Sequence, residues 1–102
     1  MSPVFQNLQI PLPIAIVGLG LSGESALKLL QAFGVKRDQI LTFDTKSPAD
    51  YSDPDQLLSR GSPRSLCVSP GIPLKQRWLQ AAVTAGIRIT SELELAFAAL
   101  QT

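Results

Sequence analysis

"IAIVGLGLSGESALKLLQAFG", residues 14–34, is the stretch on which the reading of this chain turns. It opens with a continuous apolar run, Ile14 to Val17, of the kind a strand covered on both faces requires. Gly18, Gly20 and Gly23 follow as G-x-G-x-x-G. Ala26, Leu29, Leu30 and Phe33 then recur at helical spacing, up to Gly34 as a suitable helix-ending residue. In a strand–turn–helix unit the first glycine permits the tight turn and the second lets a phosphate approach the backbone. The third lets the helix pack close on the strand, and the first-turn N–H groups face the anion. Packing alone also explains such a turn, so its meaning depends on what the rest of the chain brings to it. Ser22 adds a hydroxyl, either as an N-cap or as a ligand donor.

Outward from this unit the pattern alternates. "QILTFD" (39–44) predicts a second strand ending in a carboxylate, "SLCV" (65–68) a third, and "IRI" (87–89) a short fourth. Between the second and third lies a Pro-, Ser- and Asp-rich segment, 45–64, with one short helix expected near Pro54 to Arg60. "LKQRWLQAAVTA" (74–85) predicts a helix with Leu74, Trp78, Ala81, Ala82 and Ala85 on one face, ended by Gly86. Ser91 and Glu94 form a capping box that opens a last helix carrying Leu93, Phe97 and Leu100 on one side. Residues 1–13 are an irregular lead-in, kept extended by Pro11 and Pro13. Such alternation demands an α/β fold of three layers around a mainly parallel sheet of about four or five strands. Ligands of these sheets lie beyond the carboxyl ends of the strands. Three turns, 18–23, 44–48 and 69–73, are therefore expected to face one crevice.

Composition narrows what that crevice can do. The chain's 102 residues fit one domain, and 45% hydrophobic content supports a buried core. A net charge of +1, without runs of like charge, gives no electrostatic footprint for nucleic acid. There is no His, the commonest general base and metal ligand, and the single Cys67 cannot close an internal disulfide. Cys67 reads as a small core residue in a reducing compartment. No apolar stretch reaches membrane-spanning length and the proline-rich N-terminus is no signal peptide, so a cytoplasmic location is expected, with no membrane partner. No catalytic residue and no metal site are expected in these residues, and the chain alone is expected to be inactive.

The other two turns admit two readings each. Asp44 stands where a ribose-binding acid belongs, with the Thr45 hydroxyl and the Lys46 charge beside it; an Asx turn followed by a solvated lysine explains the same residues. Ser69, Pro70 and Gly71 would suit a pyrophosphate or a sugar, or are merely a good turn. Their expected position, facing the other two turns, favours a ligand. Trp78 reads as core rather than as a stacking platform, and Glu92 and Glu94 as servants of a helix N-terminus.

Taken in order, "VGLGLSGESAL", "FDTKSP", "VSPGIP" and "AAVTAGIRITSELELAF" resemble the N-terminal domain of the Mur ligases over most of residues 14–100. The likeness is greatest to the members that add D-glutamate to UDP-N-acetylmuramoyl-L-alanine in peptidoglycan synthesis. The resemblance implies a Rossmann-like domain that binds the UDP part of that substrate and works with further domains of the same enzyme. ATP and Mg²⁺ would serve those domains, with no cofactor in this one, and the residues of the chemistry would lie beyond Thr102, a GKST-type loop coming shortly after it. The reaction implied is acyl-phosphate formation followed by amine attack. By motif, Gly20, Leu21, Ser22 and Gly23 would meet the diphosphate, and Asp44, Thr45 and Lys46 the uridine. Ser69, Pro70 and Gly71 would form the other wall. Lys46 stands where many members have Arg; the lysine keeps the charge but loses the planar fork. The segment between Lys46 and Ser65 is short for the family, so one sheet strand is expected to be missing or rudimentary. Two alternatives from other classes are the cofactor half of an NAD(P)-dependent oxidoreductase and a free-standing nucleotide-sensing module.

Overall fold

Four parallel strands in the order β2-β1-β3-β4 form the centre of the molecule. The computed structural model describes residues 10–100, with side chains through Phe97; the expected lead-in over 1–9 and the Leu100 side chain lie outside them. The strands are β1 (Ile14–Val17), β2 (Ile40–Phe43), β3 (Ser65–Val68) and β4 (Arg88–Thr90). All four residues of β1 are buried, as are all four of β3, because each lies between two neighbours and under two layers. Register is simple: Val17 lies opposite Phe43 on one side and Val68 on the other, so these strands end level with one another.

The two faces are covered by different elements. Helix α1 (Leu21–Ala32) and helix α4 (Glu92–Leu100) cover one, where Ala26, Leu30, Val35 and Leu95 pack on Ile14, Ile16, Ile40 and Cys67. The other face holds Ala15, Val17, Phe43, Leu66 and Val68. It is covered by Leu79 and Ala82 of α3 (Arg77–Thr84) and by Leu57. Leu57 begins a π-helical turn, Leu57–Gly61, that continues the short helix α2 (Pro54–Gln56). The architecture is thus a three-layer α/β fold of the Rossmann-like kind, with four strands, all parallel.

Local chemistry explains the boundaries. Helix α1 ends in a Schellman motif: the Val35 N–H donates to the Leu30 carbonyl and the Gly34 N–H to that of Gln31, with Gly34 at φ 95°. Helix α3 closes in the same pattern through Gly86 and Ile87. The Glu94 N–H donates to Ser91 Oγ at 3.2 Å, the forward half of the expected capping box, while the Glu94 carboxylate accepts from the Thr90 hydroxyl instead of reaching back to the cap.

Several expectations need correction. Helix α3 begins at Arg77 rather than Leu74, because residues 69–76 are spent on turns. Its buried side is Leu79 and Ala82; Leu74, Ala81 and Ala85 are exposed, and Trp78 is half-buried. In α4 the core residue is Leu95, whereas Leu93 and Phe97 are exposed. Gly20, not Ser22, is the N-cap of α1, and no side chain caps that helix. The missing strand is indeed rudimentary. Tyr51 alone bridges Phe43 in parallel, its N–H donating to the Thr42 carbonyl and its carbonyl accepting from the Asp44 N–H. Asp50 and Thr42 add a reciprocal pair of backbone-to-side-chain bonds, so the outer edge of β2 is closed without a full strand.

Candidate functional site

Because β1, β2 and β3 end level, the turns that follow them meet on one rim. The contacts are direct. The Gly18 N–H donates to the Phe43 carbonyl and the Ser69 N–H to the Val17 carbonyl. The Leu19 N–H donates to Asp44 Oδ2 at 2.7 Å. Gly18 has φ 95°, and a side chain there would lie 2.9 Å from Ile72 Cδ1 and 3.1 Å from Ser69 Cβ. Glycine is therefore favoured here by conformation, and a side chain would also have to displace the Ile72 tip and press on Ser69.

The other glycines of the motif divide sharply. A Cβ on Gly23 would overlap the Gly18 carbonyl, so the absence of a side chain there lets α1 seat on β1. Gly20 lies at φ −69°, which any residue adopts, and a Cβ on it would meet nothing within 4 Å. Packing gives no reason for a glycine at 20, where the N-cap position merely tolerates one. The space above it is open and adjoins the first turn of α1, where Leu21 is 87% exposed and the helix has no side-chain cap. Ser22 is half-buried in that turn, and its hydroxyl makes no hydrogen bond among the described residues. Free N–H groups of a helix start, beside an open glycine, form a place where an anion is favoured.

Asp44 ties the rim together. Its Oδ1 accepts from the N–H groups of Lys46 (2.7 Å) and Ser47 (2.9 Å), closing an Asx turn, while Oδ2 accepts from Leu19. These bonds, the Leu19 one foremost, hold the carboxyl below its ordinary value of 3.8 despite some desolvation; the Lys46 charge adds a little. Of the four acceptor positions of a carboxylate, one on Oδ2 remains for an outside donor. The turn reading is thus the observed one, and it leaves room for a single further bond.

Between these turns opens a cavity of about 410 Å³. Its rim carries Gly18, Asp44, Thr45, Lys46 and Gly71; its wall is Phe43, Ile72 and Trp78, completed by Pro54, Pro73 and Gln76. The Phe43 and Trp78 rings stand 5.2 Å apart at 48°. Lys46 and Asp44 are the charged residues of the lining. Ser69 and Pro70 are not part of it. They line a neighbouring, more apolar cavity of about 360 Å³ with Leu74, Ile89 and Leu93. The turn from Ser69 to Ile72, closed by the Ile72 N–H on the Ser69 carbonyl, separates the two. Gly20 to Gly23 lie outside both linings, at the start of α1.

Sequence reasoning missed the aromatic wall. Trp78 packs, half-buried, against the core as its helical spacing implies, and it also lines the cavity. Phe43, Gln76 and Pro54 carry no motif. The available signal was the placement of two aromatic residues at the carboxyl end of a strand and the start of a helix on the same face.

Cys67 lies in the opposite core, 3% exposed, its thiol pushed up to about 12 by burial and secondarily by Glu92 and Glu94. Among the described residues no cluster of three or more metal-ligating side chains occurs, and no helix is long and apolar enough to cross a membrane.

No protein-family model matches the chain. It is similar to curated proteins named UDP-N-acetylmuramoylalanine–D-glutamate ligase. That of Rippkaea orientalis is 33% identical over 102 residues, covering 85% of this chain and 22% of the relative. Those of Alkaliphilus metalliredigens and Caldicellulosiruptor bescii are 28% and 29% identical, each over 82% of this chain. The chain spans only about a fifth of the length of the relatives it matches, 22%, 22% and 21% respectively.

Proposed function

We propose that the chain belongs to the Mur ligases and is the N-terminal, UDP-binding domain of an enzyme that adds D-glutamate to UDP-N-acetylmuramoyl-L-alanine. The observation that carries this is the meeting of three turns on one rim, with a glycine at 20 that the chain does not need for its own packing. Similarity to ligases bearing that name, over more than four-fifths of this chain, supports the substrate.

In this reading the diphosphate rests on the backbone N–H groups at the start of α1, over Gly20, Leu21 and Ser22, with the Ser22 hydroxyl as a further donor. Lys46, exposed at the edge of the same rim, supplies the countercharge. The remaining lone pair of Asp44 accepts from a ribose hydroxyl. Thr45 and Gly71 border the uridine, and the Phe43–Trp78 wall receives its base. Ser69 and Pro70 act indirectly, by holding Gly71 and Ile72 in place. ATP, Mg²⁺ and the acyl-phosphate chemistry belong to further domains of the enzyme, so this chain contributes binding alone.

Calorimetric titration of the 102-residue chain tests this. UDP and UDP-N-acetylmuramoyl-L-alanine are expected to bind and NAD not. Binding of NAD equal to or tighter than that of UDP would overturn the proposal in favour of an oxidoreductase half.

A further inference from the structure

Gln76 stands at the exposed mouth of the cavity, and its side-chain oxygen accepts from the Trp78 indole N–H at 2.9 Å. An indole N–H only donates, so the amide's orientation is fixed by its partner: oxygen toward Trp78, NH₂ away from it. That NH₂ group makes no hydrogen bond among the described residues. The residue that carries this donor lines a cavity whose wall is aromatic.

Resting on the nucleotide reading above, we infer that Gln76, oriented by Trp78, sets the base preference of this cavity by donating to the carbonyl at C4 of a pyrimidine. The base it suits is uracil, which carries a carbonyl at C4. Cytosine carries an amino group at that carbon, and would bring donor against donor. A site that hydrogen-bonds one base edge discriminates against the isostere because its own polar group is then left unpaired. Gln76 is a specificity residue in this scheme, and Trp78 both a wall for the base and the group that positions Gln76.

Trp78 is the only tryptophan in the chain, so its fluorescence reports on occupancy directly. The chain and its Gln76→Glu and Gln76→Ala variants are titrated with UDP and with CDP, with amide spectra recorded in parallel. The native chain is expected to bind UDP about tenfold more tightly than CDP, the size of one well-placed hydrogen bond. Gln76→Glu still accepts from the indole but offers only acceptors to the base, and is expected to shift the ratio toward CDP. Its added charge opposes both diphosphates alike, so the ratio isolates the base. Gln76→Ala is expected to bring the two affinities within about twofold, the one hydrogen bond being gone. An unchanged ratio across the three proteins, or no preference in the native chain, overturns the assignment of Gln76 while leaving UDP binding intact. If neither nucleotide moves the amides of Gly18 to Gly23 and Asp44 to Lys46, the nucleotide site itself is wrong and this inference falls with it.

Discussion

Asp44 is the residue on which the rim depends, because one carboxylate takes up three backbone N–H groups from two turns. Replacing it with alanine frees the Leu19 and Lys46 amides together and is expected to destabilise the chain by about 1–2 kcal/mol. Its lowered pKa also fixes a pH dependence. The folded carboxyl ionises more readily than the unfolded one, so its contribution is present above the ordinary value of 3.8 and is lost as pH falls through the lower folded value. Urea unfolding at pH 7 and pH 3 is expected to give a smaller difference for Asp44→Ala than for the native chain; an equal difference would mean the turn draws nothing from the charge. Cys67 makes the opposite case. Buried and held neutral, it is expected to resist an aromatic disulfide reagent at pH 8 in the folded chain and to react fully in denaturant.

At the scale of elements, the glycine turn separates packing from binding. Gly23→Ala forces a methyl into the Gly18 carbonyl and is expected to cost about 2–3 kcal/mol, read from the unfolding midpoint. Gly20→Ala adds a methyl to open space and is expected to change stability by no more than about 1 kcal/mol, while weakening UDP binding severalfold. Equal effects on stability would remove the distinction. These elements were largely legible beforehand, since continuous apolar runs, glycine punctuation and the Ser91 cap act locally. The start of α3 was not. Leu74 fits the helical period, but the two turns after Ser69 use up the residues before Arg77, a consequence of docking against Gly18 that no local pattern records. Trp78 packs against the core as its spacing implies, but that spacing could not show that it also borders the cavity, because core and cavity lie on the same side of α3. The single bridge at Tyr51 was foreseeable as a shortage of residues, though the Asp50–Thr42 exchange that closes the edge was not.

For the molecule as a whole, strand order decides where a ligand can rest. With β1 between β2 and β3, the chain leaves β1 for one side and later returns to the other, and the crevice opens at that switch. Phe43, Trp78 and Ile72 give it an apolar wall, while the start of α1 gives a separate, polar shelf for an anion. In the proposed reading, base and diphosphate would take distinct places on a single edge. The central claim is that one uridine diphosphate spans both, and backbone amide spectra of the 102-residue chain test it most directly. On addition of UDP, the signals of Gly20 to Gly23, Asp44 to Lys46 and Gly71 are expected to move together, with one apparent affinity, whereas NAD leaves them in place. Shifts confined to one turn, or larger shifts with NAD than with UDP, would contradict the account.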